Sequence, residues 1–174
     1  MSMLAAEKSG LDLVSVAKLM NKLRPVEGRL ENIGKLKDNS RVILDYAHTP
    51  DALKTVLSNV REQFPLAKIR LIFGCGGERD KSKRSKMGEI ASKLADVIYL
   101  TDDNPRGENP KIIRDQIKKG IKKNINLIEI PNRKIAINKS IDDLCSGEIT
   151  IVAGKGHEKT QEYRGGKKYF SDRD

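Results

Sequence analysis

Apolar residues along this chain fall into short solid runs separated by helical stripes. The runs Val42–Leu44, Ile69–Phe73, Val97–Leu100, Leu127–Ile130 and Ile149–Val152 are rich in β-branched residues, as strands buried on both faces of a parallel sheet tend to be. Between them, Leu53, Val56, Leu57, Val60 and Phe64 recur at helical spacing behind Thr49 as N-cap and Pro50 in the first turn. Met87, Ile90, Ala91 and Leu94 repeat the stripe, as do Ile113, Ile117 and Ile121, and then Ile137, Ile141 and Leu144. The alternation predicts βαβ units and a doubly wound, mostly parallel α/β sheet. Glu162–Arg164 and Lys167–Phe170 flank Gly165-Gly166 and predict a C-terminal β-hairpin. Upstream, Leu13, Val16, Ala17, Met20 and Leu23 form one helical stripe ended by Pro25, and residues 25–28 read as a linker. That apolar face needs a cover, either the sheet domain or a preceding one.

Composition narrows the class. The 174 residues suit one ordinary domain. Lys plus Arg number 34 against 24 Asp plus Glu, so the net charge of +10 must meet an anionic partner or serve solubility. No apolar run approaches the ~20 residues of a membrane helix. The start MSMLAAEKSG lacks the basic and apolar stretches of a secretory signal, so a cytoplasmic protein is expected. Cys75 and Cys145 have no zinc-finger or disulfide-framework spacing.

In open α/β sheets ligands bind beyond the carboxyl ends of the strands, and here the chemistry-bearing residues follow the predicted strands. Asp45, after the first, stands where a ribose-binding carboxylate would, or caps the turn; His48 stacks on a ligand or structures that turn. Gly74–Gly77 with Arg79, Lys81 and Arg84 is either an anion cradle at a helix N-terminus or a solvated basic turn. GxxxxGK[ST] is absent, which excludes a self-contained P-loop, and no GxGxxG follows the first strand. Arg106 beside Asn104 suits a carboxylate, or is a turn stiffened by Pro105. Gly154–Glu158 sets Lys155, His157 and Glu158 around two glycines, for close backbone approach or as a salt-bridged loop. Nothing marks Cys75 as an activated thiolate, so it is read as filling space.

Taken in order, Asp45–Pro50 (DYAHTP), Gly74–Arg84 (GCGGERDKSKR), Asp102–Arg106 (DDNPR), Gly154–Glu158 (GKGHE) and Phe170–Arg173 (FSDR) form one series. The series resembles the C-terminal domain of the Mur ligases, from about Leu4 to the end of the chain. Val26–Glu31 resembles the start of that domain, where a proline usually replaces Val26 or Glu27. The resemblance implies a Rossmann-like domain of an ATP-driven amide ligase of peptidoglycan precursor synthesis, working through an acyl phosphate. It assigns Arg29, Asp45, Tyr46 and His48 to the nucleotide, with Lys81 reaching the phosphates. Arg79, Asp103, Asn104, Arg106, Gly154 and Glu158 match positions that hold meso-diaminopimelate. Residues 1–24 correspond to the terminal helix of a central ATPase domain, 25–28 to the linker and 29–174 to the C-terminal domain.

On this resemblance the chain holds no catalytic or metal-binding residue. ATP and Mg2+ are held mainly by the central domain, and the chain alone is expected not to turn over ATP. The implied partners are meso-diaminopimelate, a UDP-N-acetylmuramoyl dipeptide, ATP and preceding domains of the same monomeric enzyme, with neither nucleic acid nor membrane. An arginine after Asn-Pro resembles the family's diaminopimelate-adding members. L-Lysine would leave Arg106 desolvated without a partner, a cost of ~1–3 kcal/mol.

Two other classes compete. A basic nucleic-acid-binding module would use Lys118, Lys119, Lys122 and Lys123 on one helix, but aromatics are only 4% and there is no Trp to stack on bases. A folylpolyglutamate synthetase-type ligase shares an Asp-x-Ala-His-x-Pro loop, whereas DNPR and GKGHE favour the cell-wall ligases.

Overall fold

The computed structural model describes every residue except Met1, Asn21, Leu23, Arg24, Pro25, Leu36 and Lys37. The chain forms α1 (Ser2–Lys8), α2 (Leu13–Met20), β1 (Glu31–Lys35), β2 (Arg41–Asp45), α3 (Pro50–Gln63), β3 (Ile69–Phe73), α4 (Ser82–Leu94), β4 (Val97–Leu100), α5 (Pro110–Lys118), β5 (Asn126–Glu129), α6 (Arg133–Asp142), β6 (Ile149–Ala153), β7 (Thr160–Tyr163) and β8 (Gly166–Tyr169). The six-stranded sheet has the order β1-β2-β6-β3-β4-β5. All its pairings are parallel except β1 with β2.

Residue alternation divides the sheet into two cores, as the two-residue period of a strand requires. Ile43, Ile69, Leu71, Phe73, Ile98, Leu100 and Ile151 pack with Leu53 and Leu57 of α3, Met87 of α4, and Ile113 and Ile117 of α5. Val42, Leu44, Ile72, Val97, Tyr99 and Val152 face α6 through Ala136 and Ile137. The five predicted parallel strands and the four helices between them are therefore present. Thr49 caps α3 as expected, its hydroxyl accepting from Ala52 N; the Asn109 and Asn132 side chains, not singled out from the sequence, cap α5 and α6, and Lys81 before α4 makes no side-chain cap.

Several expectations shift. β1 was not expected, because Glu31–Lys35 (ENIGK) carries no apolar run; it is an antiparallel edge strand with an irregularity between Asn32 and Gly34. The hairpin pairs Tyr163 with Gly166, so its turn is Arg164-Gly165 rather than Gly165-Gly166. The single upstream helix is two, α1 and α2, packed on each other across Ser9 and Gly10, with Leu4, Leu11, Val14 and Leu19 exposed. The predicted end of that stripe, Leu23 and Pro25, lies outside the described residues. Gly28, expected in a linker, is buried, and its amide donates to Glu31 Oε2 at 2.8 Å. Finally α5 stops at Lys118, so Lys122 and Lys123 lie beyond it, and Lys118 pairs with Asp115 and Glu129 instead of joining a basic helical face.

Candidate functional site

Register brings the chemistry to one edge. Asp45 pairs with Ala153, Ile72 with Val152 and Phe73 with Leu100, so β2, β6, β3 and β4 end level with one another. Their loops enclose a cleft of about 550 Å³. Tyr46 and His48 enter it from the β2 loop, Arg79 and Lys83 from the β3 loop and α4, Asp103, Asn104 and Arg106 from the β4 loop, and Gly154 and Glu158 from the β6 loop. All six residues expected to hold an amino acid line this one cleft.

Both signs of charge line it. Arg79 is exposed and makes no ion pair among the described residues. Arg106 adopts a left-handed backbone at φ 52°, which a non-glycine residue holds only under constraint. The constraint comes from the hairpin: Arg106 N donates to Glu162 O at 3.0 Å, and its Nε donates to Glu162 Oε2 at 3.1 Å. Arg106 Nη1 donates to Gly77 O at 2.8 Å, so the guanidinium is aimed yet keeps donors for a ligand.

The cleft also carries an acidic group of side chains, Glu158 and Asp103. Glu158 Oε2 accepts from Asn104 Nδ2 and from Lys155 Nζ, both at 3.0 Å. Burial pushes the Glu158 carboxyl up, but the Lys155 hydrogen bond and charge, followed by the Asn104 amide and Tyr46 hydroxyl, outweigh it and hold it below its ordinary value. Gly154 sits at φ 116°, and a Cβ there would lie 2.8 Å from Asp103 Oδ2, so only glycine lets this carboxylate close up against the β6 turn. Burial raises the Tyr46 hydroxyl, and the Glu158 charge raises it further.

The residues expected at a nucleotide divide. The Arg29 guanidinium lies 4.8 Å from the Tyr46 ring centroid, and the His48 and His157 rings lie 4.7 and 5.3 Å from Tyr46, a shelf of planar groups at the cleft mouth. His48 Nδ1 is 2.9 Å from the Tyr46 carbonyl; a carbonyl only accepts, so Nδ1 carries the proton and Nε2 is left as the acceptor. Asp45, by contrast, is buried outside the cleft lining, and its two oxygens accept from Leu30 N and Ala47 N, each at 2.7 Å. Here it is a capping residue. Lys81 also lies outside the lining, 3.7 Å from Glu108.

Two basic residues in the predicted anion-facing set are structural. Arg84 is fully buried, donating to both oxygens of Glu108 at 3.0 Å and to Gln116 at 2.6 Å. Lys155 is fully buried too. Conversely, Lys86 lines the cleft and was missed. The signal was present in part: Lys83 and Lys86 are three residues apart on α4, the spacing of one helix face, while Arg79 lies in the loop before it. Among the described residues no group of three His, Cys, Asp or Glu is placed to hold a metal ion. Cys75 is buried as expected, and burial pushes its thiol up to about 12. Among the described residues no helix is long and apolar enough to cross a membrane.

Comparison with known proteins matches this architecture. The chain is 45% identical over 167 residues to the UDP-N-acetylmuramoyl-L-alanyl-D-glutamate–2,6-diaminopimelate ligase of Chlorobaculum tepidum, covering 95% of this chain and 32% of that protein. The ligase of the same name from Rickettsia conorii is 49% identical over 140 residues, 80% of this chain and 28% of the relative. The chain thus spans about a third of the length of these relatives. A solved structure of UDP-N-acetylmuramoyl-L-alanyl-D-glutamate–2,6-diaminopimelate ligase superposes with a TM-score of 0.78 at 37% identity, over 98% of this chain and 34% of that one. A folylpolyglutamate synthase/dihydrofolate synthase from Yersinia pestis, complexed with AMPPNP and Mn, reaches 0.58 at 21% identity over 75% of this chain and 28% of that one, a likeness of fold alone. Residues 28–156 match the model described as Mur ligase, glutamate ligase domain, and the chain belongs to the Mur ligase family.

Proposed function

We propose that this chain is the amino-acid-presenting domain of an ATP-dependent ligase that joins meso-diaminopimelate to UDP-N-acetylmuramoyl-L-alanyl-D-glutamate in the cytoplasm. The supporting observation is that Arg106, Arg79, Glu158 and Asp103 all line one cleft. Meso-diaminopimelate carries two carboxylates and two amines, so its non-reacting end needs both a cation and an acid. Arg106 offers a planar fork to the distal carboxylate, while Glu158 offers an ionised acceptor to the distal ammonium. L-Lysine has the ammonium without that carboxylate. It would leave the Arg106 donors unpaired, a loss of ~1–3 kcal/mol, or about 5–150-fold.

The Tyr46 ring, with His48 edge-on and Arg29 over its face, suits the base or ribose of ATP, and Arg79, Lys83 and Lys86 supply fixed positive charge near the N-terminus of α4 for phosphates. ATP would supply the leaving group for amide formation; this chain's own residues hold and orient the incoming amino acid. In the same reading residues 1–24 close a preceding ATPase domain, residues 29–174 are the presenting domain, and the enzyme works as a monomer without nucleic acid.

The test is ligation by the intact ligase containing this chain, supplied with ATP, the UDP-linked dipeptide and either amino acid. Diaminopimelate should be used with kcat/KM at least about 5-fold above L-lysine. Equal use of the two would overturn the assignment.

A further inference from the structure

Lys155 is a charged side chain that the cleft buries and never offers to a ligand. Its side chain has no exposure to solvent. Nζ donates to Thr160 O at 2.6 Å, Glu158 Oε2 at 3.0 Å and Asn104 Oδ1 at 3.1 Å. An ammonium has three protons, and all three are spoken for. Asn104 is tied at both ends of its amide: its Oδ1 also accepts from Glu162 N at 2.9 Å, and its Nδ2 donates to Glu158 Oε2 at 3.0 Å. The amide therefore has one orientation only, because a flip would turn its NH2 toward the Lys155 ammonium and the Glu162 N–H. Both bonds to Glu158 from these partners land on the same oxygen, which leaves the carboxylate acceptor capacity on the cleft side.

We propose that Lys155 is a positioning residue for amino-acid recognition: its buried ammonium keeps the Glu158 carboxylate charged and fixes the Asn104 amide, setting the acidic group of the cleft before a ligand arrives. The proposal deepens the amino-acid reading and rests on it for the identity of the ligand. The other charged or titratable groups around Glu158 are Tyr46 from the β2 loop, Asp103 from the β4 loop and the buried Arg133 of α6. Of the two cations, Lys155 and Arg133, Lys155 is the one hydrogen-bonded to the carboxylate. A lysine that merely tied the turn to the hairpin through Thr160 would leave the titration of Glu158 unchanged when removed.

The experiment follows the Glu158 carboxyl carbon by NMR during pH titration of the 174-residue chain, with Glu158→Gln to assign the signal. In the wild type its midpoint should lie below those of the exposed glutamates. In Lys155→Met it should rise by about 1–3 pH units, the span expected for losing an adjacent opposite charge. In Lys155→Arg, which keeps the charge, it should stay low. Affinity for meso-diaminopimelate should then begin to fall at a higher pH in Lys155→Met than in the wild type, by about twofold at the raised Glu158 midpoint. If Lys155→Met does not fold, the wild type still decides: the Lys155 ammonium protons should be protected from exchange and the Glu158 midpoint depressed. An ordinary Glu158 midpoint, ammonium protons exchanging like those of surface lysines, or a Lys155→Met midpoint equal to wild type would each overturn the proposal. Absence of diaminopimelate binding by the wild type would instead overturn the ligand reading, while the titration still judges Lys155.

Discussion

Asp172→Asn should be among the most damaging single substitutions in this chain, although only two residues of the chain follow it. Asp172 and Arg133 are both fully buried; Arg133 Nε donates to Asp172 Oδ1 at 2.6 Å and Nη2 to Oδ2 at 2.7 Å. Arg133 Nη2 also donates to the Ala153 carbonyl at 2.9 Å, and Nη1 has no partner among the described residues. Removing the carboxylate charge leaves a guanidinium buried with little compensation, which costs about 3–5 kcal/mol. At about 2–4 °C per kcal/mol for a chain of this size, Tm should drop by about 6–20 °C. Scanning calorimetry supplies Tm, and urea unfolding supplies the free energy and its m-value. Arg133→Met with Asp172→Leu should lose less than the sum of the single variants, because neither partner is then stranded. The local consequence is measurable as well. Ala153 ends β6, so Asp172→Asn should speed amide exchange through Gly154–Glu158. A Tm within about 2 °C of wild type, or strict additivity of the two substitutions, would refute the reasoning.

Acid stability should depend on Glu108. The Arg84 hydrogen bonds, opposed by burial and aided by the Glu78 amide and the charges of Arg84 and Lys81, hold its carboxyl down at about 2 instead of 4.5. Its folded value is depressed, so its contribution is present above about pH 4.5 and is lost as pH falls toward 2. Glu108→Gln should flatten that stretch of the urea-midpoint profile, and an unchanged profile would contradict the pairing. Cys145 is exposed whereas Cys75 is buried with its thiol pushed up to about 12. A thiol reagent at pH 8 should therefore modify Cys145 and spare Cys75 until the protein unfolds; rapid labelling of both in the native protein would contradict the packing. In Gly77→Ala the new Cβ would lie 1.9 Å from the Pro105 carbonyl oxygen. It should cost about 1–3 kcal/mol in urea unfolding and weaken ligand binding by displacing the Gly77 carbonyl that aims Arg106; wild-type stability and binding would count against that close approach.

Much of the sheet was legible because buried parallel strands are solid apolar runs. β3, β4 and β6 are buried at every position, and no polar periodicity obscures them. β1 was not legible, since an edge strand pairing on one side only needs no such run. The cleft was legible as a set of loops, because the ends of parallel strands fix which segments converge. Which charges face the ligand was not. Arg84 meets Glu108 24 positions away and Arg133 meets Asp172 39 positions away, so in the sequence each reads as an unpaired cation. Asp45 illustrates the same limit: its partners are backbone amides, which sequence does not display. The FSDR string owes at least one of its letters to packing, since Asp172 is the counterion beneath α6.

Recognition of the distal carboxylate by Arg106 is most directly tested by calorimetric titration of the intact ligase with meso-diaminopimelate and with L-lysine, in the wild type and in Arg106→Ala. The wild type should bind diaminopimelate at least about 5-fold more tightly, and Arg106→Ala should erase the difference. Equal affinities in the wild type, or a preference that survives in Arg106→Ala, would contradict it.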